Sequence, residues 1–236
     1  MSIKAILFDL DGTLLPMDQE LFAKTYIDGL VRVAAGDGYD PKRMADAIMR
    51  GIAAMVKNTG EVTNEEAFWR VLSENFGEKI REKADMFDSF YSGDFQKISE
   101  VCGFTPHAAE IISFASSRGF RVALATNPLF PRVATESRIR WAGLSPDGFE
   151  LFTTYEGSHY SKPNPDYYRE VLEKLSLTAE ECLMVGNDVC EDMIAEELGM
   201  RVFLLTDCLI NKSGTDPSRY PHGSFRDLQK FINELS

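Results

Sequence analysis

Two carboxylates separated by a single residue follow the first apolar run of the chain. The run Ile3–Phe8 is typical of a buried strand, and Asp9 and Asp11 come at its end, before a Gly-Thr pair. Because two neighbouring acids repel each other, both stay ionised most easily around a cation. Mg²⁺ is the expected cation, since it takes hard oxygen ligands and tolerates a site that it shares with phosphate. The alternative is an Asp-rich turn without an ion, because Asp and Gly both favour turns.

Other polar residues follow later apolar runs in the same way. Thr126 and Asn127 come directly after Phe120–Ala125, and Asp188 comes shortly after Glu181–Val185. In a parallel sheet the carboxyl ends of the strands lie at one edge, where α/β proteins bind their ligands. We therefore expect these side chains and the first two acids to converge.

Lys162 lies in the sequence SKPNPDYY, immediately before a predicted helix. From this loop its ammonium can reach the same edge of the sheet, although a solvated loop lysine is the simpler alternative. The edge would then carry a cation site, a hydroxyl donor, an ammonium and a nucleophilic carboxylate. Such a set favours phosphoryl transfer, in which positioning and neutralisation of charge do most of the catalysis.

The elements that must position these residues fall into two groups. Helical periodicity dominates from Gln19 to about Ser99, whereas strands alternate with helices from Thr105 onward. That alternation indicates an α/β fold with a doubly wound parallel sheet, and the helical stretch indicates a small domain inserted after the first strand. Phe149–Thr154 is predicted as a weaker third strand and Arg201–Leu205 as the fifth, whereas Gly214–Gly223 is predicted to be a surface loop.

Charge and hydropathy exclude several classes of partner. The 236 residues carry a formal net charge of −12, which argues against a nucleic-acid-binding protein. No apolar run approaches the length of a membrane span, and no signal segment precedes the first strand. We expect a cytoplasmic protein with neither a nucleic acid nor a membrane as partner. A small phosphorylated metabolite is compatible with this charge as a substrate if a metal and a few local cations neutralise it. The sequence carries no indication of the oligomeric state.

Four motifs, in order along nearly the whole chain, resemble those of the haloacid dehalogenase-like (HAD) hydrolase superfamily. They are Asp9-x-Asp11-x-Thr13, Thr126 at a strand end, Lys162 in a K-P-x-P sequence and the acidic segment GNDVCED. The resemblance implies a Rossmann-like core formed by residues 1–16 and 100–236. It also implies that residues 17–99 form a helical cap domain, which closes over the site.

The resemblance assigns a role to each residue of the predicted site. Asp9 would be the nucleophile that forms an aspartyl-phosphate. Asp11 would protonate the leaving oxygen and later deprotonate water, while its backbone carbonyl binds Mg²⁺. Thr126 and Lys162 would hold the phosphoryl group, and Asn127 would add a donor beside Thr126.

The fourth motif departs from the commonest form in the superfamily, which has Gly-Asp. Here the sequence is Gly186-Asn187-Asp188, with Asp192 four residues later. We expect Asp188 to bind the metal and Asp192 to support it, although Asp192 can be the direct ligand and Asn187 can fill part of the site. Glu191 is expected to be a surface acid at a helix N-terminus. The predicted metal ligands are therefore Asp9, Asp11, Asp188 and Asp192.

The function that the motifs favour is a Mg²⁺-dependent phosphatase. The second acid argues against a dehalogenase, which needs neither the metal nor Asp11 as a proton shuttle. A sugar-phosphate phosphomutase on the same core is the alternative, since it differs only in whether water or a second hydroxyl meets the aspartyl-phosphate. A non-catalytic binding or regulatory protein that kept the fold is a further alternative.

Overall fold

A five-stranded parallel sheet forms the centre of the protein in the computed structural model, which describes residues 2–235. The strands are β1 Ala5–Phe8, β2 Arg121–Leu124, β3 Cys182–Gly186, β4 Arg201–Leu205 and β5 His222–Gly223. Their order in the sheet is β2-β1-β3-β4-β5, and every neighbouring pair is parallel. The predicted doubly wound α/β fold is confirmed.

Helices cover both faces of the sheet, which explains why the strands are almost continuously apolar. One face packs against α6 (Pro106–Ser117), α7 (Arg132–Trp141) and α9 (Phe225–Asn233). The other face packs against α8 (Pro165–Leu175) and a 3-10 helix at Met193–Leu198. All four residues of β1 are buried, so the strand that precedes the two acids lies at the centre of the core.

A helical unit connects β1 to α6. It contains α1 Gln19–Gly36, α2 Pro41–Val56, α3 Asn64–Phe76, α4 Ala84–Ser92 and α5 Asp94–Lys97, with 3-10 helices at Glu78–Lys83 and Ile98–Val101. Side chains at Asp18, Asp40 and Thr63 accept hydrogen bonds from the first backbone N–H groups of the first three helices, as N-caps do. The unit has an aromatic core, which Phe130 and Trp141 of the sheet domain complete.

The chain leaves and re-enters the sheet domain at one place. Met17 and Cys102 form an antiparallel bridge, and the Gly103 N–H donates to the Pro16 carbonyl oxygen at 2.6 Å. The predicted boundaries of the helical domain, at residues 17 and 99, fall close to this bridge. The division into two domains stays a prediction.

Two sequence-based expectations about strands were wrong. Phe149–Thr154 forms only an isolated bridge to β2, because Thr153 is the last residue that bonds there and the N–H of Tyr155 donates to the Phe130 carbonyl instead. The segment expected to be a loop before Gly223 ends in the short strand β5. No helix within residues 2–235 combines the length and apolar character needed to cross a bilayer.

Candidate active site

The predicted site residues lie at the carboxyl edge of the sheet, next to β1. The chain passes from β1 to β2 on one side and later returns to β3 on the other, so a crevice opens at this edge. A cavity of about 210 Å³ lies there, between the sheet and α1. Six of the predicted residues line it: Asp9, Asp11, Thr126, Asn127, Asp188 and Asp192. Lys162 lies directly behind this surface, in contact with Asp9.

The Asp9 carboxylate is held on both of its oxygens. The Lys162 ammonium donates to Oδ1 at 2.9 Å, and the Thr13 hydroxyl lies 3.0 Å from Oδ2. The same hydroxyl lies 2.9 Å from Asn187 Oδ1, so its single proton serves one of the two oxygens at a time. Asp9 is only 7% exposed, and its carboxylate is therefore fixed in orientation at the floor of the cavity.

Lys162 connects Asp9 to Asp192. Its ammonium lies 2.6 Å from Asp192 Oδ1, and the whole side chain is buried. Burial alone would lower the pKa of Lys162, but the carboxylates of Asp192 and Asp9 outweigh it, so this pKa lies well above its usual value. The ammonium thus offsets the repulsion between the two carboxylates that it joins.

Asp192 packs under the end of β3. Burial raises its pKa to about 6, against the opposing effect of Lys162, and its Oδ2 accepts the Asp188 backbone N–H at 2.9 Å. A Cβ on Gly186 would lie 2.1 Å from Asp192 Oδ2. Glycine is thus required at this position of the fourth motif, because any side chain would displace the acid that holds Lys162.

Asp11 forms an ion pair with the fully buried Arg138 of α7, through Oδ2 and Nη1. Burial raises the pKa of Asp11 to about 6, partly offset by the Arg138 guanidinium. The guanidinium also lies over the Phe130 ring, 4.1 Å from its centroid, and donates to Thr135 Oγ1 at 3.2 Å. Asp11 Oδ1 is buried without a hydrogen-bond partner among the described residues.

Arg138 was not predicted from the sequence. A signal for it exists, because Arg138 lies on the same face of its helix as Ala134 and Trp141, which both pack in the interior. A cation within an apolar stripe needs a buried acid as partner. The sequence does not identify that acid, which lies 127 positions away along the chain.

Thr126 and Asn127 present polar atoms to the cavity. Hydroxyls of Thr153 and Tyr167 donate to the Thr126 carbonyl at 2.6 and 2.9 Å, which fixes the backbone there. Thr126 Oγ1 and Asn127 Oδ1 are buried and have no partner within residues 2–235. Buried polar atoms are nearly always hydrogen-bonded, so unpaired atoms around one cavity mark where a polar ligand binds.

The residues of the fourth motif have different contacts around the turn after β3. Asp188 Oδ1 accepts the backbone N–H groups of Cys190 and Glu191 at 2.7 and 3.0 Å, so this carboxylate shapes the turn after β3. Asn187 lies beside the Asp9 end of the cavity and packs against Gly12, where a Cβ would lie 2.4 Å from Asn187 Nδ2. Within the described residues, no three His, Cys, Asp or Glu side chains are grouped to hold a metal ion.

Glu191 is not the surface acid that was expected. It lines the cavity, and its Oε2 accepts from Asn127 Nδ2 at 3.0 Å. Burial raises the pKa of Glu191 to about 7. Glu191 lies at the cavity because the turn capped by Asp188 carries it back toward the sheet edge. There the Tyr168 hydroxyl donates to the Glu191 carbonyl at 2.8 Å.

The charges around the cavity are unbalanced in a way that fits a bound cation. Five lining residues are acids, namely Asp9, Asp11, Asp188, Glu191 and Asp192. Lys162 pairs with Asp9 and Asp192, and Arg138 pairs with Asp11. A phosphate group that entered would add further negative charge. The oxygen atoms available at the cavity belong to carboxylates, a backbone carbonyl and a side-chain amide, which are the ligands that Mg²⁺ prefers.

Comparison with known sequences identifies one family over most of the chain. The family model for haloacid dehalogenase-like hydrolase matches residues 3–195. The phosphoglycolate phosphatase of Vibrio parahaemolyticus is 26% identical over 208 residues, covering 86% of this chain and 84% of its own.

Solved structures share the fold at lower identity. The 2-haloacid dehalogenase of Pseudomonas syringae pv. Tomato superposes with a TM-score of 0.65 at 18% identity, covering 99% of this chain and 100% of its own. A predicted phosphoglycolate phosphatase from Haemophilus somnus gives a TM-score of 0.59 at 17% identity, with 98% of each chain covered. At such identities the likeness supports the fold alone.

Proposed function

The chain belongs to the haloacid dehalogenase-like hydrolase family, and we propose that it is a Mg²⁺-dependent phosphatase of a small phosphorylated metabolite. The observation that carries this proposal is the buried contact between Asp9 and Lys162, with the partly unpaired carboxylate of Asp11 beside it. The name of the Vibrio relative supports the same activity. Within this proposal the enzyme acts in the cytoplasm.

Asp9 is the proposed nucleophile. Its carboxylate attacks phosphorus, the bond from phosphorus to the leaving oxygen breaks, and an aspartyl-phosphate forms. Lys162 and Thr13 hold the carboxylate, which removes the need to order it during the reaction. Thr126 Oγ1 is free to donate to a phosphoryl oxygen, and it is the unpaired buried hydroxyl at this edge of the sheet within residues 2–235.

Asp11 is the proposed acid and base. It gives a proton to the leaving oxygen and then takes one from the water that attacks the aspartyl-phosphate, so it ends in its starting state. Arg138 anchors one oxygen of this carboxylate, which leaves Oδ1 free for the proton transfers. Arg138 is thus a positioning residue, because it reaches the reaction only through Asp11.

The residues proposed to hold Mg²⁺ are Asp9, Asp11 through its backbone carbonyl, and an oxygen of the fourth motif. Asn187 Oδ1 and Asp188 both lie at the cavity, and Asp192 supports the site through Lys162. The Asp11 carbonyl now accepts from the Gln19 side chain at 3.0 Å, an exposed bond that can be exchanged. When bound, the cation would neutralise charge on the transferring phosphoryl group.

We propose that the helical unit, residues 17–99, acts as a cap. Asn64 at the start of α3 is fully buried against the sheet domain. Its Nδ2, which has two protons to donate, lies 3.1–3.2 Å from three acceptors, the Pro128 and Tyr160 carbonyl oxygens and Ser161 Oγ. The bridge between Met17 and Cys102 is the proposed hinge. Opening would release the Asn64 bonds and admit substrate.

A panel of phosphate monoesters with Mg²⁺ tests the function. We expect phosphate release that EDTA abolishes and that excess Mg²⁺ restores. Asp9→Asn should lower turnover by about 10³-fold or more, because an amide is a poor nucleophile. Asp216→Asn is the matched control, since Asp216 caps a distant 3-10 helix. Full activity in Asp9→Asn would show that Asp9 is not the nucleophile. Isomerisation of a sugar phosphate with little free phosphate would favour a phosphomutase.

A further inference from the structure

The wall of the cavity opposite the acids is apolar. It is formed by α1 and α2 of the helical unit and by the loop after β2, with Phe22, Ala23, Ile27, Ile52, Leu129 and Phe130. In the proposed phosphatase, the phosphoryl group lies at the acidic wall. The leaving group of the substrate must therefore lie against this apolar wall.

The polar side chains on the apolar wall, Tyr26 and Gln19, are uncharged. The Tyr26 hydroxyl pairs with the Tyr91 hydroxyl at 2.8 Å, and the Gln19 amide donates to the Asp11 carbonyl, a bond that Mg²⁺ binding would exchange. None of the described residues that line the cavity is Lys, Arg or His. Lys162 and Arg138 are fully buried behind the surface and paired with acids. A carboxylate or second phosphate on the leaving group would thus meet acids and hydrocarbon, without a free cation.

The apolar space continues into the helical unit. A second cavity, of about 20 Å³, shares Tyr26, Ile52 and Leu129 with the first. Its other lining residues include Ile48, Met55 and Phe68. Small displacements of these side chains would join the two spaces, so the leaving group can extend toward the core of the helical unit.

We propose that the substrate is a phosphate monoester of an uncharged, mainly apolar alcohol. This inference rests on the proposed function, since it assumes that phosphate lies at Asp9. It distinguishes the chain from relatives named for phosphoglycolate, whose leaving group carries a carboxylate. Burying an unpaired carboxylate beside five acids is strongly unfavourable, whereas an apolar group gains from leaving water.

Matched esters test the inference on the full chain with Mg²⁺. Benzyl phosphate and 4-carboxybenzyl phosphate have similar leaving-group chemistry and differ in one charge. We expect kcat/KM to be at least about tenfold higher for benzyl phosphate, and phosphoglycolate to be a poor substrate. Equal or better turnover of the two carboxylate esters would overturn the inference while leaving the phosphatase proposal intact. If no ester releases phosphate, both proposals fail.

A pair of lysine variants distinguishes the effect of a positive charge at the cavity from the effect of a positive charge elsewhere on the same helix. Ala23 lies on α1 at the cavity, exposed enough to accept a lysine, whereas Leu21 on the same helix is exposed and does not line it. Ala23→Lys should lower the preference for benzyl over 4-carboxybenzyl phosphate by about tenfold, because it supplies the missing cation. Leu21→Lys should keep the wild-type ratio. The same ratio in both variants would contradict the proposed position of the leaving group.

Discussion

The Arg138 guanidinium and the Asp11 carboxylate form an ion pair whose cation is completely buried and whose acid faces the cavity. The pair joins α7 to the turn after β1, so a helix on one face of the sheet sets the orientation of a residue at its edge. Because Arg138 Nε has no partner within the described residues, the guanidinium depends on Asp11, Thr135 and the Phe130 ring.

Removing this cation should affect both stability and turnover. Arg138→Gln leaves Asp11 without its partner, so the free energy of unfolding should fall by about 3 kcal/mol. We expect kcat to fall by about 10- to 100-fold with little change in KM, because Asp11 acts on the leaving oxygen and not on binding. Arg140→Gln is the control, since Arg140 pairs with Glu136 on the exposed side of the same helix. A changed KM with an unchanged kcat would contradict a positioning role.

Lys162 is expected to stabilise the protein by separating Asp9 from Asp192. Lys162→Met should lower the free energy of unfolding by about 3–5 kcal/mol, because two buried acids would face each other. Adding Asp192→Asn should recover part of that loss, with a coupling energy of about 1–3 kcal/mol. Urea unfolding of both single variants and the double variant measures the coupling. Lys174→Met, at a partly exposed pair with Glu170, should change stability by about 1 kcal/mol or less.

Replacing the amide of the fourth motif should strengthen metal binding. Asn187→Asp adds a carboxylate beside Asp9, so the Mg²⁺ concentration for half-maximal activity should fall by about tenfold. Without metal the variant should be less stable by about 1–2 kcal/mol, because Asn187 Nδ2 no longer donates to the Cys208 carbonyl. Mg²⁺ titrations of activity and of melting temperature measure both effects. Asn233→Asp, exposed at the end of α9, should leave the Mg²⁺ requirement unchanged. An unchanged requirement in Asn187→Asp would show that residue 187 is not a ligand.

The buried hydroxyl pair in the helical unit predicts how stability responds to alkali. Burial raises the pKa of Tyr26 from 10.0 to about 12 in the folded protein. The neutral form is therefore favoured by folding, so this contribution is intact below pH 10 and is lost as the pH rises from 10 toward 12. Between these limits, the free energy of unfolding measured with denaturant should fall by up to about 1.4 kcal/mol per pH unit because of this residue. Tyr26→Phe should reduce that slope, and an identical slope would contradict the assignment.

The positions of the site residues could be predicted because they depend on topology. Parallel strands place Asp9, Thr126 and Asp188 at one edge whatever the details of packing. The order of the motifs then indicated Lys162, which the structure places 2.9 Å from Asp9. Helical periodicity likewise predicted the helical unit, and short apolar runs predicted four of the strands.

The roles within the fourth motif could not be predicted, because they depend on side-chain geometry. Asp188 and Asn187 are neighbours, yet Asp188 caps a turn while Asn187 faces the Thr13 hydroxyl. Glu191 appeared to be a helix-surface acid because the turn that carries it back over the cavity leaves no periodic pattern. Arg138 depends on a contact between distant segments, which no local pattern records.

The aromatic core shared by the helical unit and the sheet domain limits which helical units from other family members can replace this one. Phe130 packs 4.9 Å from the Tyr26 ring, and Trp141 packs 4.9 Å from the Phe95 ring. These contacts mean that the helical unit is not an interchangeable module. We expect a chimera carrying another family member's helices to fold well only if it also receives matching residues at positions 130 and 141. Melting temperatures of chimeras with and without those two replacements would measure how much the shared aromatic core stabilises the protein.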